Sequence, residues 1–387
     1  MLISDIFCNF VVELLYAYTQ TKKINMITKY QIEMLNVKDA DAFIVYYETN
    51  DGKKHLVLID AGRYGNGMDV IRHLNYYYRN IPVELAIVTH PDDDHFGGFI
   101  YMLELLKGHK RDAVEIQHFW VNDPREHFTT RDIEEDISAE ELDKRLGGVY
   151  RTDDKMLLEM IDELGIRRQE VFATTQLVYC GQEENGDEIY HKAAVFSDME
   201  GFVILGPNLP YFEVESTTFR YDKKLNFIEE TTEEQDVEDD EEDERLKEHL
   251  SYVLDEADRD PSSHNRSSLI VLFQPSDGLK YLFTGDSSTD SFEAMDQIYK
   301  DMCENVFWLK VPHHGSKANL NTKWIKHFNP KNAYISTLRR GKYLNQCTIN
   351  ALKKISCAVV STHMNPTSAY IVRHNFLERK LKEVIYC

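Results

Sequence analysis

The segment that most constrains this chain runs from Leu85 to Gly98. It opens on a short apolar run, Leu85-Ala86-Ile87-Val88-Thr89, which reads as a buried strand. Directly after it, His90-Pro91-Asp92-Asp93-Asp94-His95 packs two imidazoles and three carboxylates into one turn. Strand ends are where side chains converge into a cleft without disturbing a core. A solvated acidic turn has no use for two flanking histidines, whereas a metal site does. Positions 90, 92, 94 and 95 can feed two ions, because alternate residues aim one way and the adjacent pair turns with the chain. Gly97-Gly98 is expected to let the backbone turn tightly into a helix running through Leu106.

Three further segments carry chemistry. Phe283-Thr284-Gly285-Asp286 ends a buried strand on a carboxylate suited to bridging two ions. Leu58-Ile59-Asp60-Ala61-Gly62 is similar in kind, and Asp60 is expected to orient a metal-binding histidine rather than to bind metal. Leu309-Lys310-Val311-Pro312-His313-His314-Gly315-Ser316-Lys317 sets paired histidines beside Gly-Ser at another strand end. That pattern suits a ligand next to a catalytic or substrate-binding group. Ser263-His264-Asn265-Arg266-Ser267-Ser268 precedes a strand and reads equally as a polar loop or a functional one.

The rest of the chain alternates strand and helix patterns, as a two-sheet sandwich under helices would. Tyr30 to Tyr47 reads as strand, and His55 to Asp60 as the second arm of a hairpin across Thr49-Asn50-Asp51-Gly52. Val70 to Tyr78 reads as helix, and Val114 to Val121 as strand. Further strands are expected at 202–206, 269–273, 281–284, 306–311, 333–336 and 358–361. Residues 1–27 read as an N-terminal extension, helical and amphipathic. Residues 28–387 then form one domain with a helical insertion at about 125–170 and an acidic loop at about 214–262.

Charge is unevenly spread. The formal net charge is −22, which taken alone argues against a nucleic-acid partner. Glu229 to Glu248 holds 13 acidic and 2 basic residues, whereas Leu309 to Cys387 holds 14 basic residues against Glu378 and Glu383, a net of +12. The acidic run reads as a solvated loop, with a charge-mimicking gate over the basic region as the alternative. The six cysteines are scattered and form no CxxC pair, so a reducing cytoplasm is the expected compartment. No stretch resembles a transmembrane span or a secretion signal.

The ordered set His90-x-Asp92-x-Asp94-His95, Asn265-x-x-Ser268-Leu269, Thr284-Gly285-Asp286 and Pro312-His313-His314-Gly315-Ser316 resembles the metallo-β-lactamase superfamily. Within it, the set is similar to the hydrolase domain of ComEC-type competence proteins, which carry aspartate where most members have a second histidine, as at Asp92. Asp39-Ala40-Asp41-Ala42 and Leu58 to Gly62 match that group's opening hairpin. The resemblance covers about residues 30–362. It implies an α/β fold, a four-layer αββα sandwich with helical and acidic insertions. It also implies two divalent ions, zinc or manganese. His90 and Asp92 would hold one and Asp94 and His95 the other, with Asp286 bridging and His314 closing the set. His313 would then face the substrate. Asn265 matches the group's third motif, and His264 beside it could substitute as a ligand. The group's later His-Pro has no counterpart in Gly341 to Asn345. The membrane channel that accompanies this domain in competence proteins is not seen, so DNA uptake is not expected to carry over.

Two such ions, about 3.5–4 Å apart, lower the pKa of a bridging water, and the hydroxide attacks in line with a leaving group. Asp94, His313 and Lys317 are the expected catalytic residues, the last two stabilising developing negative charge. Ser316, Arg339 and Arg340 are candidate substrate contacts. The expected activity is a phosphodiesterase or nuclease, because the basic region beside the site would draw a polyanion such as nucleic acid. A small-substrate hydrolase acting on a lactone, a phosphorylcholine-type ester or a cyclic nucleotide is the alternative. A non-catalytic subunit with a protein partner in a multi-component defence or nucleic-acid-processing system is the third reading.

Overall fold

Two separate cores divide the side chains of the opening strands. In β1 (Ile27–Leu35), β2 (Phe43–Thr49) and β3 (Lys54–Ile59), residues Ile32, Phe43, Val45, Val57 and Ile59 face one core. Their neighbours Ile44, Tyr46, Leu56 and Leu58 face the other. This is the two-residue period of a strand. With both faces covered, Leu56 to Ile59 can be apolar throughout. The sheet continues through β4 (Leu85–Ile87), β5 (His118–Trp120) and β8 (Arg167–Gln169), paired in parallel from β3 onwards. β17 (Ala369–His374) closes its other edge against β1, giving the order β17-β1-β2-β3-β4-β5-β8.

A second sheet repeats the pattern. Its six strands are β11 (Phe202–Gly206), β12 (Ile270–Phe273), β13 (Tyr281–Phe283), β14 (Trp308–Lys310), β15 (Asn332–Ile335) and β16 (Ala358–Ser361), in that order. Val271, Phe273, Tyr281, Phe283 and Trp308 meet Phe43 and its neighbours in the core between the sheets. Ile270, Leu272, Leu282 and Leu309 point outward. Helices α1 (Gly67–Tyr77), α2 (Asp93–Lys107) and α3 (Leu157–Glu163) cover the first sheet through Leu74, Phe99 and Leu158. Helices α4 (Thr289–Ala294), α5 (Gln297–Met302), α6 (Thr322–Phe328) and α7 (Gln346–Lys354) cover the second through Phe292, Tyr299, Trp324 and Leu352. The layers are helix, sheet, sheet, helix. Two small hairpins complete the set: β6 (Arg151–Thr152) with β7 (Lys155–Met156), and β9 (Thr175–Gln182) with β10 (Glu188–Ala194).

This computed structural model describes residues 26–127, 149–152, 155–182, 188–217, 219, 253–337, 343–362 and 369–374. The proposed N-terminal extension up to residue 25, the stretch 128–148 of the helical insertion, the acidic run 229–248, and Arg339 and Arg340 lie outside them. Among the described residues, no helix is long and apolar enough to cross a membrane.

Three local expectations are corrected. Tyr30 to Tyr47 is not one strand: β1 and β2 are separated by residues 36–42, where Lys38 takes a left-handed φ of 69°. That loop delivers Asp41 to the centre of the molecule. Helix α2 starts at Asp93, not at Gly97, with Asp92 as its N-cap residue. Asp93 and Asp94 in its first turn suit the positive end of the helix dipole. Gly97 and Gly98 therefore lie within a helix, and their role is close approach. A Cβ on Gly98 would sit 2.0 Å from the Ala61 carbonyl oxygen. The backbones are stitched there, with Ala61 N donating to His95 O at 2.8 Å and Gly98 N to Gly62 O at 2.7 Å.

Candidate metal centre

Five loops meet where the parallel strands of both sheets end. Asp60 follows β3, His90 to His95 follow β4, Asp286 follows β13, His313 and His314 follow β14, and Ser336 follows β15. Carboxyl ends of parallel strands are the usual place for ligands in α/β folds. Three of these residues have left-handed backbones: Asp60 at φ 55°, His313 at 44° and His314 at 50°. Each costs on the order of 1–3 kcal/mol in a side-chain-bearing residue, and such strain collects at functional sites.

The histidines share one arrangement. His95 Nδ1 lies 2.8 Å from Asp60 Oδ2, His90 Nδ1 lies 3.1 Å from Thr89 Oγ1, and His314 Nδ1 donates to the Ser336 carbonyl at 2.8 Å. A carbonyl only accepts, so the His314 proton is fixed on Nδ1 when the ring is neutral. All three rings thereby turn Nε2 towards one centre. The His90 and His95 Nε2 atoms are buried and make no hydrogen bond among the described residues. His95 Nε2 lies 3.4 Å from Asp286 Oδ2, and His314 Nε2 lies 3.3 Å from Asp94 Oδ2. Two lone-pair atoms do not face each other at such distances without a proton or a cation between them.

The electrostatics follow. Burial opposes charge on Asp94, but the His95 and His314 imidazoles outweigh it and hold this carboxyl well below its usual range. Burial likewise opposes charge on Asp92, and His264 and His90 outweigh it. His95 resists burial and is raised well above an ordinary imidazole by Asp286, Asp60 and Asp94. His313 resists burial too, and Asp286 and Asp260 raise it to about 9. Asp60 accepts from Thr89 N at 2.9 Å and from Thr89 Oγ1 at 2.8 Å besides meeting His95.

The donor set fits a divalent cation. Asp94, His95 and His314 each offer an atom within 4.8 Å of the others, and so do His90, His95 and Asp286. Carboxylate oxygens mixed with imidazole nitrogens are donors that divalent ions accept. Each histidine is also braced through its other nitrogen, as ligating histidines are. Asp92 lies at this centre with His90 Nε2 at 3.6 Å from its Oδ2 and His264 Nδ1 at 2.7 Å from its Oδ1.

The sequence-derived residues are not all brought together. His313 turns Nδ1 to Asp260 at 3.0 Å and Nε2 to Asp286 at 3.9 Å, at the edge of the centre. Asn265 stands beside His313, and its buried Oδ1 makes no hydrogen bond among the described residues. Its amide donates to Asp260 Oδ2 at 2.8 Å and braces the His313 loop. Ser316 Oγ accepts from Ala318 N at 3.1 Å, which serves its own turn. Lys317 is exposed and makes no polar contact among the described residues. Lys310, the first residue of the basic region, is internal: its ammonium lies 2.5 Å from Asp41 Oδ2 and 2.9 Å from Asp286 Oδ1. It adds nothing to a surface field.

Sequence reading assigned no role to Lys310, Asp41, Asp260, Asn319, Arg63 or Tyr343. Asn319 Nδ2 donates to the Asp286 carbonyl at 2.9 Å. Arg63 Nη2 lies 3.6 Å from Asp94 Oδ2 at the rim, and the Tyr343 ring packs 4.0 Å from the His313 ring. A lysine between Leu309 and Val311 in an apolar strand was the available signal for Lys310. Asp260 and Asn319 had none, because loop contacts across long sequence separations leave no pattern.

The chain is similar in part to known proteins. Residues 39–174 match the metallo-β-lactamase superfamily. ComE operon protein 3 of Bacillus subtilis (strain 168) is 31% identical over 128 residues, 33% of this chain. The match spans only 16% of that relative's length. Among solved structures, Igni18, a metallo hydrolase from the archaeon Ignicoccus hospitalis, aligns over 90% of this chain and 100% of its own, at 10% identity and a TM-score of 0.39. Unliganded yeast PDE1 aligns over 87% of this chain and 98% of its own, at 8% identity and a TM-score of 0.35. The match over residues 39–174 and the helix-sheet-sheet-helix layering agree on the metallo-β-lactamase fold.

Proposed function

We propose that the chain is a metal-dependent hydrolase that holds two divalent ions and acts on phosphodiesters. The carrying observation is the shared orientation of His90, His95 and His314, each tied through Nδ1, with Nε2 turned towards Asp92, Asp286 and Asp94 respectively. On this reading His90 and Asp92 hold one ion, with His264 beside Asp92 as a third donor. Asp94, His95 and His314 hold the other, and Asp286 lies between them. Ions so held supply positive charge and a more acidic water, the chemistry of hydrolysis at neutral pH.

The chain's own residues do the rest. His313, anchored through Nδ1 by Asp260, presents Nε2 at the edge of the centre. It is placed to stabilise negative charge on a substrate oxygen or to protonate a leaving group. Asp60 and Ser336 keep the histidines in their ligating orientation. Lys317, exposed beside the site, is free to meet an anionic substrate, and Arg339 and Arg340 extend the same basic stretch.

Phosphodiester substrates, nucleic acid included, are supported by the ComE-type likeness and the basic C-terminal region. One observation favours the small-ester reading instead. Aromatic rings crowd the site, Tyr343 at 4.0 Å from His313 and Phe219 at 4.6 Å from His264, which suits a narrow entrance. A panel of single- and double-stranded DNA and RNA, cyclic nucleotides, lactones and phosphorylcholine esters, run with manganese- and zinc-loaded protein, separates the two. Metal-dependent cleavage of a phosphodiester is expected. Turnover confined to lactones, or none at all with two ions bound, defeats the phosphodiester reading.

A further inference from the structure

Lys310 is a charged residue buried to 1% of its surface at the centre of the fold. Three oxygens surround its ammonium: Asp41 Oδ2 at 2.5 Å, Asp286 Oδ1 at 2.9 Å and, in a short hydrogen bond, the Gly285 carbonyl. Of its three donors, two make hydrogen bonds, to Asp286 Oδ1 and the Gly285 carbonyl, and Asp41 Oδ2 meets the ammonium as an ion-pair partner. The two oxygens of Asp286 are therefore unequal. Oδ1 is engaged by Lys310, whereas Oδ2 faces His95 Nε2 at 3.4 Å, His313 Nε2 at 3.9 Å and His314 Nε2 at 4.0 Å. Asp286 is fixed further by its backbone, with its N–H donating to Ser268 Oγ at 3.1 Å and its carbonyl accepting from Asn319.

The other side of the lysine leads to the same place. Asp41 Oδ1 accepts a short hydrogen bond from Ser336 Oγ, and the Ser336 carbonyl holds His314 Nδ1. One ammonium thus ties β14 of the second sheet to the loop between β1 and β2 of the first, and braces two residues of the centre at once.

We propose that Lys310 is a positioning residue that confines Asp286 to one ligating oxygen, so that a bridge between two ions runs through Oδ2 alone. The inference rests on the two-ion reading above and adds to it how the bridge is kept from closing on a single ion. Without Lys310, Asp286 is free to rotate and chelate one ion through both oxygens. Removing a cation also lessens repulsion towards metal, which by itself tightens binding. The two effects have opposite signs, so the measurement discriminates.

The test uses manganese, whose exchange-coupled pairs differ in electron paramagnetic resonance from isolated ions. The variants are Lys310→Met and the charge-balanced Asp41→Asn/Lys310→Met, with melting curves to establish that they fold. Wild type is expected to bind two coupled ions. The folded variants are expected to give the isolated-ion signal, with the second ion bound about 10–100-fold more weakly, as when an outer-shell partner is lost. A coupled pair at wild-type or higher affinity in a folded variant overturns the proposal. Failure of wild type to bind two ions overturns the two-ion reading itself, which is a separate result. Should neither variant fold, a crystal structure of manganese-loaded wild type decides: Asp286 bound through Oδ2 only, with Oδ1 on Lys310, supports the proposal, and Oδ1 on an ion refutes it.

Discussion

Replacing Asp60 by asparagine exchanges one buried oxygen for an amide nitrogen and should disable the metal site by releasing its hold on His95. The carboxylate serves three partners: Thr89 N on Oδ1, and Thr89 Oγ1 and His95 Nδ1 on Oδ2. In Asp60→Asn the amide oxygen keeps Thr89 N. The new NH2 in place of Oδ2 can only donate. Facing His95 Nδ1, it requires that nitrogen to be unprotonated, which moves the ring proton to Nε2 and blocks ligation. Thr89 Oγ1, having lost its acceptor, can donate to His90 Nδ1 at 3.1 Å and impose the same tautomer there. Loss of a bracing partner of this kind costs about 10–100-fold in metal affinity, or about 1.4–2.7 kcal/mol. The metal-free protein loses a hydrogen bond to a charged group, worth about 1.5–3 kcal/mol. Competition with a chromophoric chelator measures the first quantity and urea unfolding in chelator the second. Metal binding within about twofold of wild type would refute the tautomer argument, since the sterics are unchanged.

Other expectations are independent of that one. Gly98→Ala places a methyl 2.0 Å from the Ala61 carbonyl and should cost about 1–3 kcal/mol or more by overpacking, read as a lower urea midpoint. An unchanged midpoint would mean that α2 does not lie against the 60–62 loop. His95 and His314 hold their protons more tightly than an ordinary imidazole, despite burial, because of Asp286 and its neighbouring carboxylates. Ligation must displace those protons, so apparent metal affinity should fall as pH is lowered. Calorimetry in buffers of different ionisation enthalpy should show proton release, and its absence would contradict the assignment of these two rings. Burial pushes the Cys303 and Cys357 thiols up to about 12, so both should resist alkylation at mildly alkaline pH while half-buried Cys180 reacts. Mass-spectrometric mapping that found Cys303 labelled before Cys180 would contradict the packing of the second sheet's outer core.

Much of the centre was legible because its residues sit in short segments at strand ends. His90 to His95, Asp286 and His313-His314 each follow an apolar run, and a strand end fixes where a side chain goes. The apolar stretches of β2 and β3 were legible as the two arms of a hairpin across Thr49 to Gly52. What escaped the sequence is non-local. β17 pairs with β1 from the opposite end of the chain, and no local pattern records that. Asp41, Asp260 and Asn319 act through contacts between loops distant in sequence. Gly97-Gly98 was legible as a constraint but not as the right one. Two glycines after a histidine look like a turn, and only the position of Ala61 shows that they admit a neighbouring backbone. Lys310 misled for a related reason: charge counted along the sequence does not distinguish a surface lysine from one sealed between two aspartates.

On the proposed function, six residues, His90, Asp92, Asp94, His95, Asp286 and His314, hold two divalent ions. Elemental analysis of protein stripped with chelator, reloaded with manganese or zinc and desalted tests it most directly. The account predicts two ions per chain for wild type and one or fewer for His314→Ala, whose ring supplies a ligand to only one of the two positions. Fewer than one ion per chain in correctly folded, reloaded wild type would contradict it.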